Sequence, residues 1–128
     1  MPVLKDFRKL IELSLPKSKG KVWIYDYMLA QDSIDIEKIY LAETNISVNS
    51  ADQKVNPISL RAIKYYEAQD VTMKSMIAKW DFTDEKGKVI EPTPDNIKKL
   101  PKQDYEYLKA EVDKRVEKFK LVADQKKN

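Results

Sequence analysis

Residues 10–27 read Leu-Ile-Glu-Leu-Ser-Leu-Pro-Lys-Ser-Lys-Gly-Lys-Val-Trp-Ile-Tyr-Asp-Tyr. Ile11, Leu13 and Leu15 alternate with Glu12 and Ser14, the period of two that marks a half-buried strand. Pro16 to Gly20 is a turn signal. The run from Val22 to Tyr27 is rich in β-branched and aromatic types, which suit a pleated surface. Together these predict a β-hairpin over 10–27. One face of its second strand carries Val22 and Ile24, the other Trp23, Tyr25 and Tyr27. A two-stranded ribbon is marginal alone and must pack on something. The rest of the chain offers mainly helices, so the expected class is α+β.

Working outward, Asp32 can cap a helix, and Asp35 and Glu37 suit its positive end. Ile36, Ile39 and Tyr40 share a face, which predicts a helix from 33 to about 43. Thr44 to Lys54 is polar and aperiodic and reads as a loop. Asn56-Pro57 restarts a helix with a cap residue and a proline at its first position. Ile58, Ala62, Tyr65, Tyr66, Met73, Met76, Ile77 and Trp80 recur every three or four residues, predicting a helix over 57–80. Residues 81–92 break it. Thr83 to Gly87 is a turn in which Gly87 is free to adopt positive φ. Lys88-Val89-Ile90 is expected to return beside Trp80-Asp81-Phe82 as a short hairpin near 80–90, anchored by Trp80 and Phe82. Thr93 and Pro94 open a short helix, with Ile97 and Leu100 inward and Pro101 as its stop.

The last helix is expected over 102–123, with a frayed tail at 124–128. Its apolar stripe is Tyr105, Leu108, Val112, Val116, Phe119 and Ala123, and Glu111–Arg115 is a favourable i,i+4 pair. The stripe has the width of a coiled-coil seam. It either closes the domain's own core or docks on another helix, from a copy of the chain or from a partner. For the second case the candidate contact residues are Tyr105, Leu108, Val112, Val116 and Phe119. At 128 residues the chain is the size of one domain. It divides into the hairpin 10–27, a helical core 33–100 containing the 81–92 turn, and the C-terminal helix.

Composition narrows the function. There is no Cys and no His. That removes disulfides, thiolate nucleophiles, imidazole bases and the usual zinc ligands. Only Gly20 and Gly87 are glycines, too few for a phosphate-binding glycine loop. Asp81, Thr83 and Glu85 hint at a calcium loop, but Lys86 and Pro92 stand where its glycine and bidentate acid belong. The acids Asp81, Asp84, Glu85 and Glu91 sit in a polar turn, without the burial that separates a catalytic acid from a base. No enzyme, metal or cofactor is expected. Lys17, Lys19 and Lys21 beside Trp23, Tyr25 and Tyr27 fit a single-stranded nucleic-acid platform. Yet 24 basic residues meet 21 acidic ones, for a net charge of +3, so nucleic acid is not the expected partner. No apolar run is long enough to span a membrane and no leader segment is evident, so a cytoplasmic protein is expected.

From Met76 to Pro101 the chain reads MIAKWDFTDEKGKVIEPTPDNIKKLP. This resembles the tail assembly chaperones of long-tailed bacteriophages, which carry a Trp at a helix end, an acidic glycine turn, a short apolar segment with proline, and a Thr-Pro-x-Asn helix ending in Leu-Pro. The matching residues are Trp80, Asp81, Thr83, Asp84, Gly87, Val89, Pro92, Thr93, Asn96, Leu100 and Pro101. Lys88 and Glu91 are more charged than that pattern. The resemblance implies a non-catalytic protein of the host-cell cytoplasm that binds the tape-measure protein and helps recruit tail-tube subunits, with self-association open to it. It also implies an adenine-rich slippery run in the gene near Lys126-Lys127-Asn128. Two other classes fit the composition: a structural tail or head–tail connector protein of the virion, and a small inhibitor or nucleic-acid-binding module.

Overall fold

The computed structural model describes the backbone of residues 2–49 and 57–127 and the side chains of residues 2–41 and 63–116. The elements are β1 (Leu10–Ser14), β2 (Lys21–Tyr25), α1 (Ala30–Asn49), α2 (Pro57–Met76), β3 (Ile77–Trp80), α3 (Pro94–Ile97) and α4 (Lys102–Lys127). The class is α+β, with a three-stranded antiparallel sheet in the order β1-β2-β3. The chain divides into two compact units. One joins residues 1–28 to 76–128, and the other is residues 29–75. The helical core expected over 33–100 is therefore not one continuous block. The segment carrying α1 and most of α2 leaves the sheet-bearing unit and the chain re-enters it at β3.

The predicted hairpin is present. Ile11 faces Ile24 and Leu13 faces Val22 across β1 and β2. Leu13, Leu15, Val22 and Ile24 are buried on one side of the sheet. The third strand departs from the expected helix over 57–80, because the chain passes from α2 at Met76 directly into β3. Ile77 and Trp80 are both buried although three residues apart, a spacing that normally places strand side chains on opposite faces. The register explains it: Trp80 pairs with Val22 and Lys79 with Trp23, but Ile77 pairs with Ile24. Ala78 is thus the extra residue of a β-bulge, and it restores Ile77 to the inner face. The same three-residue step mimics a helical turn in the sequence.

The core of this unit contains Leu13, Leu15, Val22, Ile24, Met76, Ile77 and Trp80, with Ile97 of α3 and Leu108 and Val112 of α4. Each such side chain contributes ~1.5–3 kcal/mol of burial. In the second unit, α1 begins at Ala30, so Asp32, expected as its cap, lies inside its first turn, and it extends to Asn49, past the predicted end near 43, so Thr44 to Asn49 are helical and not loop; Asn56, expected as the cap of α2, lies outside the described residues. The remainder of the predicted loop lies outside the described residues. Ala68 and Met73 of α2 are buried. At the other end, α4 continues to Lys127, so residues 124–127, expected to fray, carry helical backbone.

Candidate partner-binding site

The α4 stripe is divided between core and boundary. Leu108 and Val112 are fully buried, Tyr105 and Val116 are half-buried, and the side chain of Phe119 lies outside the described residues. Of the two roles open to this stripe, Leu108 and Val112 take the first and close the protein's own core. Both belong to the unit that holds the three-stranded sheet, and a sheet buries one face only against another element. The predicted pair forms beside it, with Arg115 donating to Glu111 at 2.7 Å. Arg115 and Lys114 hold the Glu111 carboxyl below its usual range.

At the start of α4, the sequence reading passed over Asp104. This carboxylate is fully buried and accepts the backbone N–H of Lys17 at 2.7 Å and of Ser18 at 2.9 Å. An acid at the third helical position commonly turns back to cap the residue before the helix. Here that residue is Pro101, which has no N–H to cap, and Asp104 reaches the hairpin tip instead. Burial pushes its pKa up, but the Ser18 hydroxyl and the two tip amides outweigh that and hold the carboxyl below its ordinary value. Ser18 also accepts the N–H of Gly20 at 3.2 Å. Within the tip, Lys19 takes the positive φ of 66°. Gly20 is required for a different reason: a Cβ there would lie 2.3 Å from the Phe82 ring.

Phe82 belongs to a second constellation, built from the Met76–Pro101 segment. Trp80 and Phe82 meet edge to face, with ring centroids 5.1 Å apart. The Trp80 indole N–H donates to the Ile90 carbonyl. Thr83 bridges Val89 in the short return predicted near 80–90. Asp84 Oδ1 accepts the N–H of Lys86 at 2.8 Å and of Lys88 at 3.0 Å, and Gly87 takes φ 84°. Thr93 caps α3 by accepting the Asn96 N–H at 3.3 Å, with Pro94 in the first turn. Asn96 returns its side-chain amide to the Glu91 carbonyl at 2.9 Å. Asp81 accepts the Lys21 N–H at 2.8 Å. Asp81 and Asp84 thus serve the backbone, and among the described residues no three acidic side chains gather as a metal site.

This constellation leaves a mostly apolar pocket of about 200 Å³ lined by Trp80, Phe82, Ile90, Leu100 and Pro101, with Thr83, Asn96 and Lys99 completing it. Further apolar groups are exposed elsewhere. On α1, Ile34 and Leu41 are exposed seven residues apart, on the face that also exposes Glu37 and Lys38. On α2, Ile63 and Tyr66 are exposed. Ahead of β1, Val3 is 74%, Leu4 96% and Phe7 53% exposed. These three were missed because residues 2–9 show no periodicity. The one signal was three large apolar residues placed before a strand without belonging to its alternation.

On the outer face of the sheet, the Lys79 ammonium lies 5.0 Å from the centre of the Trp23 ring, and the Arg8 guanidinium 3.5 Å from that of Tyr25. Arg8 also binds Asp6 at 2.8 Å and pushes that carboxyl down to about 2. Lys17 and Lys19 stand at the tip, the end of the hairpin far from Tyr25, whereas Lys21 shares the outer face of β2 with Trp23 and Tyr25. No described helix is long and apolar enough to cross a membrane. Compared with models of protein families, with curated proteins and with solved structures, the chain gives no match.

Proposed function

We propose that this chain is a non-catalytic assembly chaperone of the long-tailed phage type, which binds the tape-measure protein and helps recruit tail-tube subunits in the host cytoplasm. The observation that carries this reading is a set of exposed apolar side chains, Ile34 and Leu41 on α1 and Ile63 and Tyr66 on α2, on a chain otherwise coated with balanced charge. Where such groups gather into one patch they form contact surface for other polypeptides. The i,i+7 placement of Ile34 and Leu41 suits an apolar helix laid alongside. The resemblance over Met76–Pro101 supplies the class of partner, and its residues form one locally bonded corner.

The test is co-expression with the tape-measure protein of the same genome. The wild type is expected to keep that protein soluble, and the Ile34→Asp, Leu41→Asp double variant to lose much of the effect while melting normally. A wild type that leaves the tape-measure protein insoluble overturns the function. A double variant as effective as the wild type overturns the surface. Recovery of the chain from purified virions by mass spectrometry would favour a structural tail or connector protein instead.

A further inference from the structure

We propose that the pocket between Trp80, Phe82, Ile90, Leu100 and Pro101 receives Leu4 of a second copy of this chain, so that copies join head to tail. Two independent observations meet here. The first is the arm, residues 2–9, which has no regular secondary structure and carries Val3 mostly and Leu4 almost wholly in solvent. The second is a mostly apolar pocket of about 200 Å³, where an apolar cavity of about 150 Å³ already holds a benzene ring. One branched aliphatic side chain fits this space. An extended arm can insert such a side chain without the bulk of a helix, which the exposed groups of α1 and α2 would bring with them.

Geometry sends the arm to another copy. Lys9 is fixed to Asp26, whose N–H donates to the Lys9 carbonyl at 3.0 Å and whose carboxylate accepts the Lys9 N–H at 3.0 Å. The arm therefore leaves the sheet at the end away from the hairpin tip. The pocket lies at the tip end, because Trp80 pairs with Val22 and Phe82 packs on Gly20. Five residues along the strands and two strand spacings across place it ~20 Å from Lys9. Leu4 to Lys9 spans at most ~17 Å when fully extended, and the reversal of direction that the arm would first need takes up part of that length, so that even with its side chain added Leu4 falls short. A second copy meets no such limit. Each chain then offers one arm and one pocket, a heterologous contact. The area involved is small, so the expected association is weak, with Kd on the order of 10–1,000 μM.

Sedimentation velocity over a concentration series of the full chain tests this. The wild type is expected to gain mass with concentration. Leu4→Asp, which brings a charge to an apolar pocket, and Leu100→Asp, which spoils the pocket, are each expected to stay monomeric. Their equimolar mixture is expected to form dimers and nothing larger, because one supplies only arms and the other only pockets. Should Leu100→Asp fail to fold, a synthetic peptide of residues 1–8 added to ¹⁵N-labelled Leu4→Asp chain is expected to shift the Trp80 indole N–H resonance and leave that of Trp23 in place. A monomeric wild type, undiminished assembly of Leu4→Asp, or a Trp80 resonance unmoved by the peptide overturns the proposal.

Discussion

The α4 stripe and the N-terminal arm are made of the same kinds of residue and meet opposite fates. Leu108 and Val112 are fully buried, whereas Val3 and Leu4 stand in solvent. Burial is available to the first pair because helical periodicity collects them on one side of a rod, and that rod belongs to the unit whose sheet needs cover. The arm has no periodicity to collect its apolar groups, and its exit is fixed by the Lys9–Asp26 bonds on the far side from the core's opening at Trp80. The contrast teaches that an apolar side chain's role is set by what its backbone lets it reach. It also separates residues whose loss costs stability from residues whose loss costs association.

The largest effect that would break this contrast is at Val112. Val112→Asp places a carboxylate in the core and is expected to destabilise by ~4 kcal/mol or more, enough to unfold a marginal domain. Urea denaturation measures it, and a stable Val112→Asp chain would mean that the stripe is not core.

Next is the clamp between α4 and the hairpin tip. Asp104→Ala removes the acceptor of two backbone donors and is expected to cost ~2–3 kcal/mol, read as a lower Tm in calorimetry. The folded carboxyl has a lowered pKa. Its stabilisation is therefore complete above the unfolded value of about 3.9 and is lost as pH falls through the folded value. Asp104→Asn is expected to flatten that acid limb, and an unchanged limb would remove the clamp from the account of acid stability.

A smaller change sharpens the link between tip and corner. Gly20→Ala sets a methyl against the Phe82 ring and is expected to cost ~1–3 kcal/mol by overpacking. The Phe82→Leu, Gly20→Ala double variant should cost less than the sum of the two single changes, in a double-mutant cycle. The smallest effect on stability belongs to the arm. Leu4→Asp is expected to shift stability by no more than ~0.5 kcal/mol while association is lost. A large drop in Tm would show that Leu4 serves the fold.

Much of the fold is readable in the residues themselves. The alternation of Ile11, Leu13 and Leu15 against Val22 and Ile24 determines the hairpin, because burial on one face leaves a single workable register. Thr93, Pro94 and Gly87 announce their cap and turn, because those backbone states depend on local chemistry. Ile77 and Trp80 mislead, because a bulge turns a period of two into a step of three. Asp104 is silent in sequence, because its partners are 86 and 87 positions away and no local pattern encodes them.

The sequence by itself determined the class, the hairpin, the Thr93 cap and an amphipathic last helix, all of which follow from interactions within a few residues. Only the tertiary structure decided that this helix buries Leu108 and Val112 in the protein's own core, that Asp104 holds the hairpin tip, and that a pocket opens beside Trp80. Those outcomes depend on which distant surfaces meet, and a local pattern specifies that a face must be covered without specifying by what.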